Sequence, residues 1–187
     1  PTPCFCHTQA CGKKRRIDNA KRAGKNRLTS RSERFTLTNA LMPALMLKVI
    51  YAVATALGPM IYKDISGRQF ESGGEDMPNA FRTIPTERRQ LRHSVVAAKH
   101  PESGILYFFQ LFAALFGLER AVYSFGKWSA FLEAAGRRLG QINWAMYVDD
   151  GLILDLAAAN GEGQAVMHTL FELLGAGLSL AKRVLMT

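Results

Sequence analysis

Two adjacent carboxylates, Asp149 and Asp150, sit in the run Trp144-Ala-Met-Tyr-Val-Asp-Asp-Gly-Leu-Ile-Leu-Asp155. The stretches on either side, Ile142 to Val148 and Leu152 to Leu154, are apolar and strand-like, so the pattern predicts a β-hairpin whose tight turn carries two acids. Neighbouring like charges at the end of a buried strand gain the fold little. A hard divalent cation offsets their repulsion, because Mg²⁺ prefers carboxylate oxygens. Taken alone, the same residues also suit an ordinary solvated turn.

The remainder of the chain narrows that choice. Its 187 residues are 48% apolar, enough for a sizeable core. The net charge of +9 is unevenly placed: ten Lys or Arg residues fall between Lys13 and Arg34, against Asp18 and Glu33. Such a segment implies a polyanionic partner, nucleic acid first and an anionic membrane surface second. A solvated tail, or a nuclear-import signal at Lys13 to Arg16, is the plainer account of the same charges. Cys4, Cys6, His7 and Cys11 supply four potential zinc ligands in a spacing that matches no common finger, which leaves zinc open. An odd cysteine count without a signal peptide suits a reducing compartment, so the expected location is intracellular, cytoplasmic or nuclear.

Helical periodicity marks three segments. Phe35 to Gly58 is apolar, with Thr38 or Asn39 placed to cap a helix and Leu41, Leu45, Val49, Val53 and Leu57 on one expected inward face. Pro43 and Lys48 interrupt it, so a packed helix is expected there and no membrane span. Glu119 to Leu139 reads as a long helix with Val122, Phe125, Trp128, Phe131 and Leu132 at helical spacing. Glu162 to Leu174 reads as a third, with Val166, Leu170, Leu173 and Leu174 inward. His93 to Ala98 and Ile105 to Phe112, either side of a turn at Pro101 to Gly104, predict a second hairpin. The order gives an α+β domain with an antiparallel sheet covered by helices.

Three blocks then occur in one order: Asp76-Met-Pro-Asn-Ala-Phe-Arg-Thr-Ile-Pro85, Leu115-Phe-Gly-Leu-Glu-Arg120 and Tyr147-Val-Asp-Asp150. Together they resemble the palm of a reverse transcriptase of the kind encoded by retrotransposons, through its Asp-x-x-x-Ala-Phe/Tyr-Arg-x-x-Pro, Pro-Phe-Gly-Leu and Tyr-x-Asp-Asp motifs. Lys14 to Asn19 with Ala23 to Asn26 is similar to the fingers segment before the palm, and Leu174 to Lys182 to the segment after the acid hairpin. The chain departs from the pattern at Leu115, where Pro is usual, and before Asp76, where Ser72-Gly-Gly-Glu75 is poor in strand formers. Asp64 is a rival first acid with a better strand before it, but only Asp76 is followed by the motif's Ala, Phe, Arg and Pro.

The resemblance implies a palm-like antiparallel sheet packed with helices, preceded by a basic fingers segment, with no thumb. The implied divisions are a Cys-rich segment over 1–12 that can stay disordered, a fingers-like segment over 13–75 and a palm over 76–187. It also implies RNA-directed DNA polymerase activity with two Mg²⁺ or Mn²⁺ ions, held by Asp76, Asp149, Asp150 and the Met77 carbonyl. Lys14, Arg16, Phe81, Phe116, Gly117 and Lys182 would meet the incoming deoxynucleoside triphosphate. Phe81 would sit under the sugar and exclude a 2′-hydroxyl, and Lys182 would approach the pyrophosphate. Lys13, Arg15, Lys25, Arg27 and Tyr147 would contact an RNA or DNA template with its primer. A thumb or ribonuclease H region would come from a longer chain of which this is a fragment. The alternatives are a catalytically silent nucleic-acid-binding relic of the same fold and an RNA-dependent RNA polymerase palm.

Overall fold

A computed structural model describes residues 1–28, 38–39, 41–58, 63 and 67–186. The chain forms two compact units, Pro1–Phe35 with Asn79–Phe125, and Thr36–Pro78 with Gly126–Thr187. The rival acid Asp64 lies outside the described residues.

The first unit is built on a four-stranded sheet in the order β2-β1-β4-β5. Strand β1 (Thr2–Thr8) pairs antiparallel with β2 (Lys14–Asp18) and parallel with β4 (Val95–Lys99). β4 pairs antiparallel with β5 (Leu106–Gln110), the hairpin expected from the turn at Pro101 to Gly104. The Cys-rich start forms this strand, pairing with β4 at Thr2 and Pro3 and with β2 from Cys4 to Thr8. Alternation puts Cys4 and Cys6 on one face of β1 and His7 on the other. Cys4, Cys6 and Cys11 are free thiols.

The second unit contains the sheet β6-β7-β3-β8, with every pairing antiparallel. Its strands are β3 (Phe70–Asp76), β6 (Trp144–Tyr147), β7 (Asp150–Leu156) and β8 (Val184–Met186). Three α-helices accompany the chain among the described residues: α1 (Leu41–Leu57), α2 (Glu119–Leu139) and α3 (Glu162–Leu173). On one face of the sheet, Trp144 meets Phe171 of α3 at a ring-centroid distance of 5.9 Å. Both rings are fully buried, and each contributes about 2–3 kcal/mol through removal from water. On the opposite face, Ala145, Leu152 and Leu154 pack against Met42, Met46 and Ile50 of α1.

The helix positions follow the sequence closely, but their buried faces do not. In α1 the inward residues are Met42, Met46, Ile50 and Ala54, whereas Leu41, Leu45, Val49, Val53 and Leu57 are exposed. A helix that is apolar all round gives periodicity no face to choose. Asn39 caps it, its side-chain Oδ1 accepting the Leu41 N–H at 3.0 Å. No helix among the described residues is long and apolar enough to cross a membrane. In α2, Phe125 and Leu132 are buried but Val122 and Phe131 face outward, and the helix runs unbroken through Gly126. In α3 the inward set is Gly163, Gln164, Met167 and Phe171, while Val166, Leu173 and Leu174 are exposed.

Gln164 explains that last rotation. A reading by hydrophobicity turns a glutamine outward, yet this side chain is buried, donating to Glu75 Oε1 at 3.2 Å and to the Val184 carbonyl at 3.1 Å. It also accounts for the weak strand propensity of β3. A Cβ at Gly73 would lie 2.6 Å from the Gln164 side chain, so glycine at this position lets α3 approach the sheet. β3 holds its place between β7 and β8 through ladder pairing on both edges, and tertiary context overrides its residue preferences.

The outer edge of β6 is closed by side chains of α2. Met146 N–H donates to Glu133 Oε2 at 3.0 Å, and Arg137 Nε donates to the Trp144 carbonyl at 2.9 Å. Glu133 and Arg137 are themselves ion-paired at 3.0 Å. The pair stands where a further strand would dock.

Candidate active site: an acid rank across three strands

Register determines which side chains meet. Tyr147 of β6 pairs with Asp150 of β7, and Asp150 pairs in turn with Asp76 of β3. Cross-strand partners share a face, so Tyr147, Asp150 and Asp76 form one rank across the sheet. All three line a cavity of about 730 Å³, together with Lys182 and Pro43 of α1. Asp149 stands at the turn beside them.

Three hydrogen bonds hold this turn and the end of β3. Ser129 of α2 donates its hydroxyl to the Val148 carbonyl at 2.7 Å. Met77 N–H donates to the Asp149 carbonyl at 3.1 Å, and Ser179 N–H to the Asp76 carbonyl at 2.9 Å. Val148 itself has a φ of 59°, a left-handed conformation that is strained for a β-branched residue. Such strain costs on the order of 1–3 kcal/mol and persists only where the surroundings fix it.

Electrostatics concentrate at the same point. Burial, then the charges of Asp149 and Asp76, push the Asp150 carboxyl above the usual carboxylate range, with Lys182 acting in the opposite direction. Lys182 Nζ lies 2.6 Å from Asp76 Oδ2. One residue to either side, Arg183 Nε meets Glu75 Oε1 at 2.6 Å, and the Glu75 side chain is completely buried. Glu71, on the same inward face as Glu75, accepts the Gly161 N–H at 2.7 Å.

The other residues singled out in the sequence lie in the first unit. Lys14 and Arg16 share one face of β2 with Asp18, and Arg15 faces the other way. The buried Asp18 carboxylate binds Arg16 at 3.2 Å and Arg82 at 3.1 Å. Phe81 is half-buried among aromatic rings, with centroids 5.7 Å from Phe116 and 5.3 Å from Phe125. Gly117 adopts a φ of +87°, and a Cβ there would come within 2.5 Å of the Asp18 carbonyl, so the loop requires glycine. Leu115, which replaces the motif's proline, is buried. Lys25 donates to the His93 carbonyl, and burial lowers its ammonium pKa. Lys13 and Arg27 are exposed.

Periodicity and motif spacing missed Asp18, Asn26, Glu75, Ser129, Gln164 and Arg183. Asn26 accepts the Glu119 N–H at 3.1 Å and donates to the Gly117 carbonyl at 3.3 Å, tying that loop to the start of α2. The available signal was a charge at a strand position that should be inward, as at Glu71 and Glu75.

The sequence matches no protein-family model and no curated protein. Solved structures do match. A foamy viral protease-reverse transcriptase in complex with double-stranded DNA superposes with a TM-score of 0.65 at 14% identity, over 100% of this chain and 27% of that one. The prototype foamy virus protease-reverse transcriptase CSH mutant gives 0.62 at 14%, over 97% and 20%. A further foamy viral complex with double-stranded DNA gives 0.62 at 15%, over 100% and 32%. The chain has a reverse-transcriptase-like fold. It spans about a third or less of the length of these neighbours.

Within that fold, the donor set at the acid rank suits hard divalent ions. It consists of carboxylate oxygens, and burial together with the charges of Asp149 and Asp76 disfavours ionisation of Asp150. Among the described residues, no three Asp, Glu, His or Cys side chains converge as a closed ligand set. Asp76 Oδ2 is paired with the Lys182 ammonium group.

Proposed function

We propose that the chain is the fingers-and-palm portion of an RNA-directed DNA polymerase of retroelement type, adding deoxynucleotides to a primer. The observation that carries this reading is the direct pairing of Asp76 with Asp150 across β3 and β7, with Asp149 at the adjoining turn. Asp76, Asp149 and Asp150 would hold two Mg²⁺ or Mn²⁺ ions, with the Met77 carbonyl as a further oxygen donor. When bound, such ions stabilise the attacking and leaving oxygens of an in-line displacement at phosphorus.

The chain's own groups then position the reactants. Lys14 and Arg16 present cations for charge-assisted contacts to a triphosphate. Asp18 orients Arg16 and Arg82 from below. Phe81, braced by Phe116 and Phe125, supplies the flat surface against which a 2′-hydroxyl would clash, which favours deoxynucleotides over the ribonucleotides of an RNA polymerase palm. Lys182 supplies a cation for the departing pyrophosphate. Lys13, Arg15, Lys25, Arg27 and Tyr147 are assigned to the template and primer. The foamy viral neighbours bound to double-stranded DNA support a nucleic-acid partner.

A second reading, a silent nucleic-acid-binding relic, draws on the absence of a closed ligand set among the described residues. Primer extension on poly(rA)–oligo(dT) with Mg²⁺ or Mn²⁺ separates the two. The native chain should incorporate deoxythymidine and Asp149→Asn should fall to background while remaining folded by circular dichroism. Equal activity in the two proteins would sink the mechanism. Duplex binding without incorporation by folded native chain would favour the relic.

A further inference from the structure

Asp76 pairs with Asp150 across β3 and β7, with Asp149 at the adjoining turn, yet Asp76 is not left facing like charges alone. The Lys182 ammonium lies 2.6 Å from its Oδ2. This ion pair does not depend on a freely swinging lysine. Lys182 closes a short 3-10 turn, Leu180–Lys182, that runs into β8, and β8 pairs with β3 at Ser72, Gly73 and Gly74. The Ser179 N–H bond to the Asp76 carbonyl pins the turn at its start. The ion pair of Arg183 with the buried Glu75 carboxylate pins it at its end. The backbone around Lys182 is therefore fixed on both sides, and the side chain is delivered to Asp76. It stays half-exposed at the mouth of the acid cavity, so it has room to leave.

We infer that Lys182 is a tethered counter-ion, which holds Asp76 before a divalent ion does and must withdraw from that carboxylate for the ion to bind. The inference rests on the divalent-ion site proposed above. An ammonium and a divalent ion compete for the same oxygen, and their charges repel when both are close. Binding of the ion and release of Lys182 are then one coupled event.

The test is Mn²⁺ binding to the full chain by isothermal titration calorimetry, with Lys182→Met, Lys182→Arg and Asp76→Asn alongside the native protein. Lys182→Met should bind Mn²⁺ roughly three- to tenfold more tightly than native, the range expected on removing a partly exposed competing ion pair. Lys182→Arg keeps the positive charge and should stay close to native. Asp76→Asn should lose the site. In parallel, lysine side-chain ¹⁵N resonances of the native chain are followed during a Mg²⁺ titration. The Lys182 ammonium signal should move with the same midpoint as ion binding, and this readout needs no variant to fold. Measurable native binding with equal or weaker binding by Lys182→Met overturns the counter-ion role and leaves the polymerase reading standing. An ammonium signal that ignores Mg²⁺ does the same. Binding by none of the proteins overturns both the ion site and the inference.

Discussion

At β6, the outward-facing backbone groups are taken up by Glu133 and Arg137 of α2. At β5, the outer strand of the other sheet, every residue from Leu106 to Gln110 is exposed. The two edges have similar strand-forming composition, and both carry aromatic residues. What differs is the supply of polar side chains at the right height. A helix that lays a Glu–Arg pair along a strand satisfies the edge without adding a strand, whereas an uncovered apolar edge is a template for further pairing. The contrast is sharper in the interior, where the buried Glu75 carboxylate is paired with the partly exposed Arg183 and tied to a buried glutamine.

That interior pair is where the largest effect is expected. Arg183→Met leaves the Glu75 carboxylate buried without its cation, and should cost about 3 kcal/mol in chemical denaturation. The estimate takes the low end of the range because the Arg183 side chain is 32% exposed. A loss below about 1 kcal/mol would mean that β8 is held by its ladder alone.

The edge contrast is tested next by a pair of substitutions. Glu133→Ala removes the acceptor of Met146 N–H and the partner of Arg137, and should cost about 2 kcal/mol. It should also leave β6 with an open edge and raise self-association. Phe108→Lys on β5 should change stability by less than about 0.5 kcal/mol and reduce self-association in light scattering. If Glu133→Ala stays as monodisperse as native, the edge-closing role of α2 is wrong.

The smallest effect concerns pH. Asp150 has a carboxyl pKa raised above its unfolded value, so the folded chain holds that proton more tightly than the unfolded chain. Its contribution favours the fold at low pH and is lost as pH rises through the folded-state pKa. Asp150→Asn should therefore be slightly more stable than native at neutral pH, with the difference vanishing in acid. Melting temperatures across that range check the sign. A native chain more stable than the variant at neutral pH would mean that neither burial nor repulsion penalises the charged Asp150 carboxylate.

Much of the fold was legible because hydrophobic periodicity and turn residues act locally. The hairpin at Pro101 to Gly104 and the helices beginning at Glu119 and Glu162 stand where their residues predict them. The inward faces of α1 and α3 were not legible, for two different reasons. α1 has no polar side to orient it, and α3 is rotated by a buried Gln164 whose partners lie 89 and 20 residues away. β3 hid for a related reason: glycines and acids form its inward row, and they make sense only beside Gln164 and Arg183. The rank of Tyr147, Asp150 and Asp76 was half visible. Motif spacing named the residues, while the shared face depends on a register that only strand pairing determines.

The meeting of Gly73, Glu75, Gln164 and Arg183 has a consequence for how this sequence can diverge. A bulkier residue at position 73 is admissible only if position 164 becomes smaller, and a smaller residue there forfeits the amide that joins Glu75 to Val184. Loss of either charge, at 75 or 183, strands the other. These four positions are therefore energetically coupled: single changes should be unfavourable, with non-additive effects. Related chains that have abandoned the block should have abandoned it whole, with a branched aliphatic residue in place of the glutamate and no arginine at the end of the chain's last turn.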